Sequence, residues 1–172
     1  RAMANLAIRH TSNSSMAVDF SDINKDGNVD FFVTDMMSQS HVLQKTQMGT
    51  MLPTSLSIGE IDNRPQYMHN TLFLNRGDHT FSEISQFSNT HASEWSWSSM
   101  FMDVDLDGNE DILITTGHMY DVQDSDSNQK QKDALRHIKS FDEYKRMIFE
   151  FPTLELKNIA FHNQGNLKFK AV

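Results

Sequence analysis

Two nine-residue stretches, Asp22-Ile-Asn-Lys-Asp-Gly-Asn-Val-Asp30 and Asp103-Val-Asp-Leu-Asp-Gly-Asn-Glu-Asp111, decide how the rest of this chain is read. They sit at an offset of 81, and their flanks extend the match without a gap, residues 15–34 against 96–115. A second pair follows each of them. Thr-Leu-Phe-Leu-Asn-Arg-Gly-Asp-His-Thr-Phe at 71–81 corresponds to Ile-Ala-Phe-His-Asn-Gln-Gly-Asn-Leu-Lys-Phe at 159–169, at an offset of 88. A chain that repeats itself over such a length is using one supersecondary unit twice.

The two stretches have the chemistry of a hard-cation loop. Calcium takes about 6 to 8 oxygen ligands, so carboxylates must converge from a short loop without colliding, and alternation along the backbone achieves this. In the first loop positions 1, 3, 5 and 9 are Asp22, Asn24, Asp26 and Asp30, and position 7, Asn28, is expected to offer its backbone carbonyl. In the second they are Asp103, Asp105, Asp107 and Asp111, with Asn109 at position 7. Gly27 and Gly108 both hold position 6, where the chain must turn through a conformation that costs a residue with a Cβ more than it costs glycine. An EF-hand would need a bidentate Glu at position 12 and helices on both sides, and a dockerin loop also places an acid there. Position 12 is Val33 or Ile114, so neither alternative fits.

The flanks read as strands. Met16, Val18 and Phe20 alternate with small or polar residues, the period of a half-buried strand, whereas Phe31, Phe32 and Val33 run continuously, as in a strand covered on both faces. Further strands are expected at Thr71 to Leu74, Thr80 to Ile84, Trp97 to Met102, Asp111 to Thr115, Ile159 to His162 and Leu167 to Val172. Four antiparallel strands per unit, in tandem, is the pattern of a propeller blade. The expected fold is therefore all-β with a helical insertion: a first blade over 14–87, interrupted at 35–70, and a second over 96–172, interrupted at 117–157. Closing a propeller takes about 4 to 8 blades, so further blades are expected partners. In the first insertion a short helix is expected near Gln39 to Gln47. In the second, Ala134, Leu135, Ile138, Phe141, Met147 and Ile148 fall on one helical stripe over 128–150, expected to pack against the blade and to end at Pro152.

Charge narrows the partners. The chain of 172 residues carries a formal net charge of −8, which disfavours nucleic acid, a ligand held by clustered Lys and Arg. Seven aspartates lie in the two loops, and two divalent cations would offset four of those eight charges. Without cysteine there is neither a disulfide nor a thiolate metal site, and the oxygen-only donors disfavour zinc. No apolar run is long enough to span a membrane, and the first residues are too polar for a signal peptide, so the chain reads as internal to something longer.

Several other residues invite function but have plainer readings. Arg76-Gly77-Asp78 spells an adhesion tripeptide, yet it occupies an expected hairpin turn. Trp95 and Trp97 could stack on a sugar but fit blade packing better. His118, Tyr120, Asp121, Asp124 and Asp126 are expected to form a solvated acidic loop, and the remaining histidines show no spacing suited to a transition metal. The pattern D-x-[DN]-x-D-G-N-x-D between two strands, followed by N-x-G-x-x-x-F, resembles the FG-GAP or VCBS repeat of integrin-like β-propellers. The wider context, including Glu94-Trp-Ser-Trp97, is similar to bacterial envelope or secreted proteins that pair such repeats with an ASPIC/UnbV-type region. The resemblance implies two structural calcium ions, an extracellular or cell-envelope location, and a non-enzymatic binding or scaffolding role with a protein or carbohydrate ligand. The alternative is a propeller-fold polysaccharide lyase, which would have to use His118, Tyr120 and Arg136.

Overall fold

A computed structural model describes residues 7–47, 65–137 and 140–172. Each repeat folds into a four-stranded antiparallel sheet. The first holds β2 (Ala17–Ser21), β3 (Asp30–Thr34), β5 (Thr71–Asn75) and β6 (Phe81–Glu83), in that order across the sheet. The second holds β7 (Ser96–Met102), β8 (Asp111–Thr116), β9 (Ile159–Asn163) and β10 (Phe169–Ala171), again in chain order. Neighbours in sequence are neighbours in space, the arrangement short connections favour. Outside the sheets, β1 (Thr11–Ser12) pairs in parallel with β4 (Gln66–Tyr67). The helices are α1 (His41–Gln47), α2 (Ser85–Ser88), α3 (Ser125–Leu135) and α4 (Phe141–Met147), the last running into a 3₁₀ turn at Ile148–Glu150. Among the described residues no helix is long and apolar enough to cross a membrane.

The sheets pack face to face around one apolar cluster. Ile23, Phe32 and Leu72 come from the first repeat, and Ile112, Ile114, Phe161 and Phe169 from the second. Register decides which side chains enter it. Phe32 pairs with Asp19 and with Leu72 on one face, while Phe31 pairs with Phe20 and Phe73 on the other. The expectation for β2 is thus reversed: Met16, Val18 and Phe20 face away from the second sheet and are exposed. Its other side carries Asp19, whose Oδ2 accepts the Phe101 backbone N–H at 2.8 Å and so ties β2 to β7. The run Phe31-Phe32-Val33 is likewise not covered on both faces, since Phe32 is buried while Phe31 and Val33 are only half-buried.

The insertions leave the sheets at the ends opposite the acidic loops. Residues 48–64, with Pro53, lie outside the described residues, but the short helix expected near Gln39 to Gln47 is present as α1. The single helix expected over 128–150 is two helices. The first ends at Leu135, and Ser140 starts the second, its Oγ accepting the Glu143 N–H at 3.2 Å as an N-terminal cap. Met147 is buried as expected, but Leu135 and Phe141 stand exposed. Ile138 and the side chain of Ile148 lie outside the described residues. Nor is the acidic segment before α3 a solvated loop. Asp121 is buried and accepts from Gln47 Nε2 at 2.9 Å, joining the two insertions, and Asp124 caps α3 by accepting the Ser127 N–H at 2.8 Å.

At the edge of the first sheet Glu83 supplies a pH-sensitive link. Burial alone would raise its carboxyl, but His10 and the backbone N–H groups of Ser85 and Leu72 hold it at about 2, below the usual 4.5. A carboxylate with a depressed folded-state value stabilises the fold above its unfolded value, and the contribution disappears as pH falls from 4.5 towards 2. Glu83→Gln is expected to flatten the acid limb of stability over that window, by on the order of 2 kcal/mol. Urea titrations at pH 6 and pH 3 on both proteins check this, with the gap between them narrowing at the lower pH.

Candidate metal centre

The two acidic loops share most of their hydrogen bonds. In the first, Asp22 accepts the N–H groups of Asp26 at 3.0 Å and Gly27 at 2.8 Å, and Asp26 accepts that of Asn28 at 2.8 Å. In the second, Asp103 accepts from Gly108 at 2.9 Å, Asp105 from Asp107 at 3.2 Å, and Asp107 from Asn109 at 2.7 Å. Both loops pass twice through positive φ at matching places, Lys25 (60°) and Gly27 (86°), then Leu106 (61°) and Gly108 (89°). A leucine at positive φ is uncommon, and its recurrence at one loop position shows that the loop geometry, not the side chain, sets it.

The last aspartate of each loop has a different environment from the rest. Asp30 and Asp111 are buried at the start of their strands. Asp30 accepts the N–H groups of Ile23 at 3.0 Å and Asn75 at 2.7 Å, and Asp111 accepts those of Val104 at 3.4 Å and Asn163 at 2.8 Å. Asn75 and Asn163 complete the clamp, each donating its amide to a loop carbonyl, Val29 or Glu110, at 3.1 Å and accepting the N–H of Gly77 or Gly165 at 3.0 Å. Their role was not anticipated from sequence, although the second repeated stretch carries both asparagines at one aligned position.

Electrostatics sets Asp30 apart from exposed Asp26 and Asp107. Burial pushes the Asp30 carboxyl up, the charges of Asp26 and Asp22 add to this, and the N–H groups of Asn75 and Ile23 oppose it. Exposed Asp26 and Asp107 are held below the usual range, chiefly by the backbone N–H groups of Asn28 and Asn109. A buried acid pressed by other acids is a place where a cation would relieve both burial and repulsion.

The loops differ in how far their ligands converge. Oxygens of Asp103, Asp105 and Asp107 lie within 4.8 Å of one another, and so do ligand atoms of Asp105, Asp111 and His162. Among the described residues Asp22, Asp26 and Asp30 form no such trio. The first loop also has a neutral third position, where Asn24 turns its amide towards Asp26 at 2.9 Å. His162 was not anticipated as a neighbour of the site. Its Nδ1 lies 3.3 Å from Asp111 Oδ1 and 3.5 Å from Asp105 Oδ2, where the first repeat has Leu74. Asp103 Oδ1 is buried without a hydrogen-bond partner, an orphaned acceptor beside other hard oxygens. That donor set suits a hard divalent cation. Lys25, which stands between Asn24 and Asp26 in the first loop, leans over the second. Its ammonium lies 3.5 Å from where a Cβ on Gly108 would stand, and it lowers Asp107.

Residues 56–114 match the model of an FG-GAP-like repeat. The match runs through β5, β6 and β7 and takes in the whole second acidic loop. It supports the integrin-like propeller family for this stretch, and nothing in it supports an ASPIC/UnbV-type region. Comparison with curated proteins and with solved structures gives no significant match.

The remaining candidates take structural places. Arg76-Gly77-Asp78 forms the β5–β6 turn, with Gly77 at φ 74° and Asp78 accepting the Thr80 N–H at 3.0 Å. Trp95 stacks between Trp97 and His118, at ring centroid distances of 6.3 and 4.6 Å. His118 Nδ1 is bonded to the Tyr120 carbonyl, and Arg136 caps the end of α3.

Proposed function

We propose that this chain is a calcium-stiffened pair of propeller blades with a binding or scaffolding role in an exported or cell-surface protein. One observation carries the reading: two loops 81 residues apart in sequence, both built on Asp-x-Asx-x-Asp-Gly-Asn-x-Asp, share one hydrogen-bond framework, and one of them gathers carboxylates around an orphaned acceptor. Asp103, Asp105, Asp107 and Asp111 would hold one ion, with Asn109 giving its carbonyl. Asp22, Asn24, Asp26 and Asp30 would hold the other, with Asn28 in the same role. Bound calcium would supply positive charge that fixes the turn between the first two strands of each blade. The FG-GAP-like match supports blades as the architecture, and the millimolar calcium outside cells suits sites of this ligand type. The surface offered to a protein or carbohydrate ligand would then be the insertion end of the sheets.

Calorimetric titration of calcium into the EDTA-stripped chain tests the reading. Two binding steps, the second loop the tighter because it has four aspartates to the first loop's three, together with a rise in melting temperature, are expected. Magnesium should compete poorly, because it requires near-ideal octahedral geometry. Lys25→Ala should tighten the second site several-fold at low salt, and the gain should fade as salt screens it. No calcium heat and no thermal shift would remove the metal reading.

A further inference from the structure

We infer that His162 gives the second acidic loop a nitrogen ligand, so that Asp105, Asp111 and His162 form a site for a zinc-class divalent ion that competes there with calcium. The three residues come from separate parts of the chain. Asp105 lies in the loop, Asp111 opens β8, and His162 stands near the end of β9. The two strands are bonded neighbours with Ile112 opposite Phe161, and this register sets His162 beside Asp111. Its Nδ1 lies 3.3 Å from Asp111 Oδ1 and 3.5 Å from Asp105 Oδ2. One ligand atom from each of the three lies within 4.8 Å of the other two. The carboxylates are also anchored. Asp111 Oδ1 accepts the Asn163 N–H at 2.8 Å, and Asp105 turns its other oxygen, Oδ1, to the Asp107 N–H at 3.2 Å. Ligands carried on paired strands and a bonded turn are held in place before any ion arrives.

Spacing and donor type together select the ion. A charge-assisted bond from a ring nitrogen to a carboxylate spans about 2.7 to 2.9 Å, and both separations here are longer. They match instead the edge between two ligands of one tetrahedral ion, about 3.3 to 3.4 Å when each ligand stands about 2.0 to 2.1 Å from the metal. Calcium would span similar edges, but it takes oxygen ligands. Imidazole beside carboxylate suits zinc and its neighbours among the divalent transition ions. The first repeat supplies the control. Its aligned residues are Asn24, Asp30 and Leu74, one carboxylate and no imidazole, so the first loop should ignore such an ion. Asp105 and Asp111 are also the ligands assigned to calcium at the second loop, so the two ions exclude one another there. The inference rests on the proposed reading of that loop as a metal site, and adds the class of ion and the residue that sets it.

The test is titration of zinc and of cobalt(II) into the metal-stripped 172-residue chain, by calorimetry for zinc and by visible absorption for cobalt, with and without excess calcium. Expected are one ion per chain at the tight step, the intense visible bands of four-coordinate cobalt, and an apparent zinc affinity that falls as calcium is added. His162→Leu installs the residue of the first repeat. It should weaken zinc at least about tenfold, the least that even a partner outside the ligand shell contributes, while calcium still binds as in the parent. His162→Gln repeats the comparison with a polar side chain, should the first variant fail to fold. Zinc binding that is absent from the parent, or that survives both variants, would overturn the inference. So would tighter calcium binding without zinc loss in the variants, the mark of a histidine acting only as a counter-charge. Two calcium steps with no zinc binding would remove the inference and leave the calcium reading standing, and zinc binding that depends on His162 in a chain giving no calcium heat would do the reverse.

Discussion

Asp30→Ala is expected to destabilise the chain by about 2 to 3 kcal/mol even in EDTA, because two backbone N–H groups would lose their acceptor at a buried site. The donors are Ile23, itself part of the core, and Asn75, which leads the β5–β6 turn. Each stranded donor costs about 1 to 3 kcal/mol, and relief of the buried charge returns part of it, which places the net near the lower half of the sum. Asp111→Ala strands Val104 and Asn163 in the same way, the first by a longer bond of 3.4 Å, so its cost without metal should be slightly smaller. With calcium present the order reverses. Asp111→Ala should abolish the tighter binding step and Asp30→Ala the weaker one, so the metal-linked part of the loss is larger at Asp111. Urea denaturation with and without calcium separates the two contributions. Equal losses in EDTA and calcium at both positions would mean that these aspartates serve the fold alone.

What the sequence disclosed was fixed by local chemistry. The strand boundaries around both loops follow from the position of Asp and Gly in a tight turn, and Asp30 and Asp111 begin β3 and β8 where expected. What it concealed depends on partners distant in the chain. Alternation in Met16, Val18 and Phe20 reads as a buried side, but alternation only divides the faces of a strand, and the face opposite the second sheet is the apolar one. Lys25 belongs to the first loop by sequence and serves the second by position, because the loops lie side by side at one end of the sheets. The asparagine clamps needed both repeated stretches read together, since each asparagine reaches across to the loop of its own repeat. The stripe in the second insertion failed at Ser140, where the pattern Ser-Phe-Asp-Glu143 was a legible helix start.

The repeat offers its own control for the core. Phe32 and Leu113 occupy equivalent positions, yet Phe32 is fully buried between the sheets and Leu113 is only half-buried on an outer face. Phe32 stands edge-on to Phe101, ring centroids 6.4 Å apart, and belongs to the cluster with Leu72 and Phe161. Truncating a buried phenylalanine removes its transfer free energy and leaves a cavity that neighbouring β-strands cannot readily close, so Phe32→Ala should cost about 3 to 5 kcal/mol. Leu113→Ala removes atoms already partly in water and leaves no enclosed void, so at dilute concentration it should cost about 1 kcal/mol or less. Domains of this size have about 5 to 15 kcal/mol in total, so the first substitution threatens folding and the second does not. Denaturation midpoints measured on dilute protein check the contrast, with the slopes unchanged if both states keep their compactness. A Leu113→Ala loss as large as that of Phe32→Ala would mean that the outer face of the second sheet is covered within a single chain.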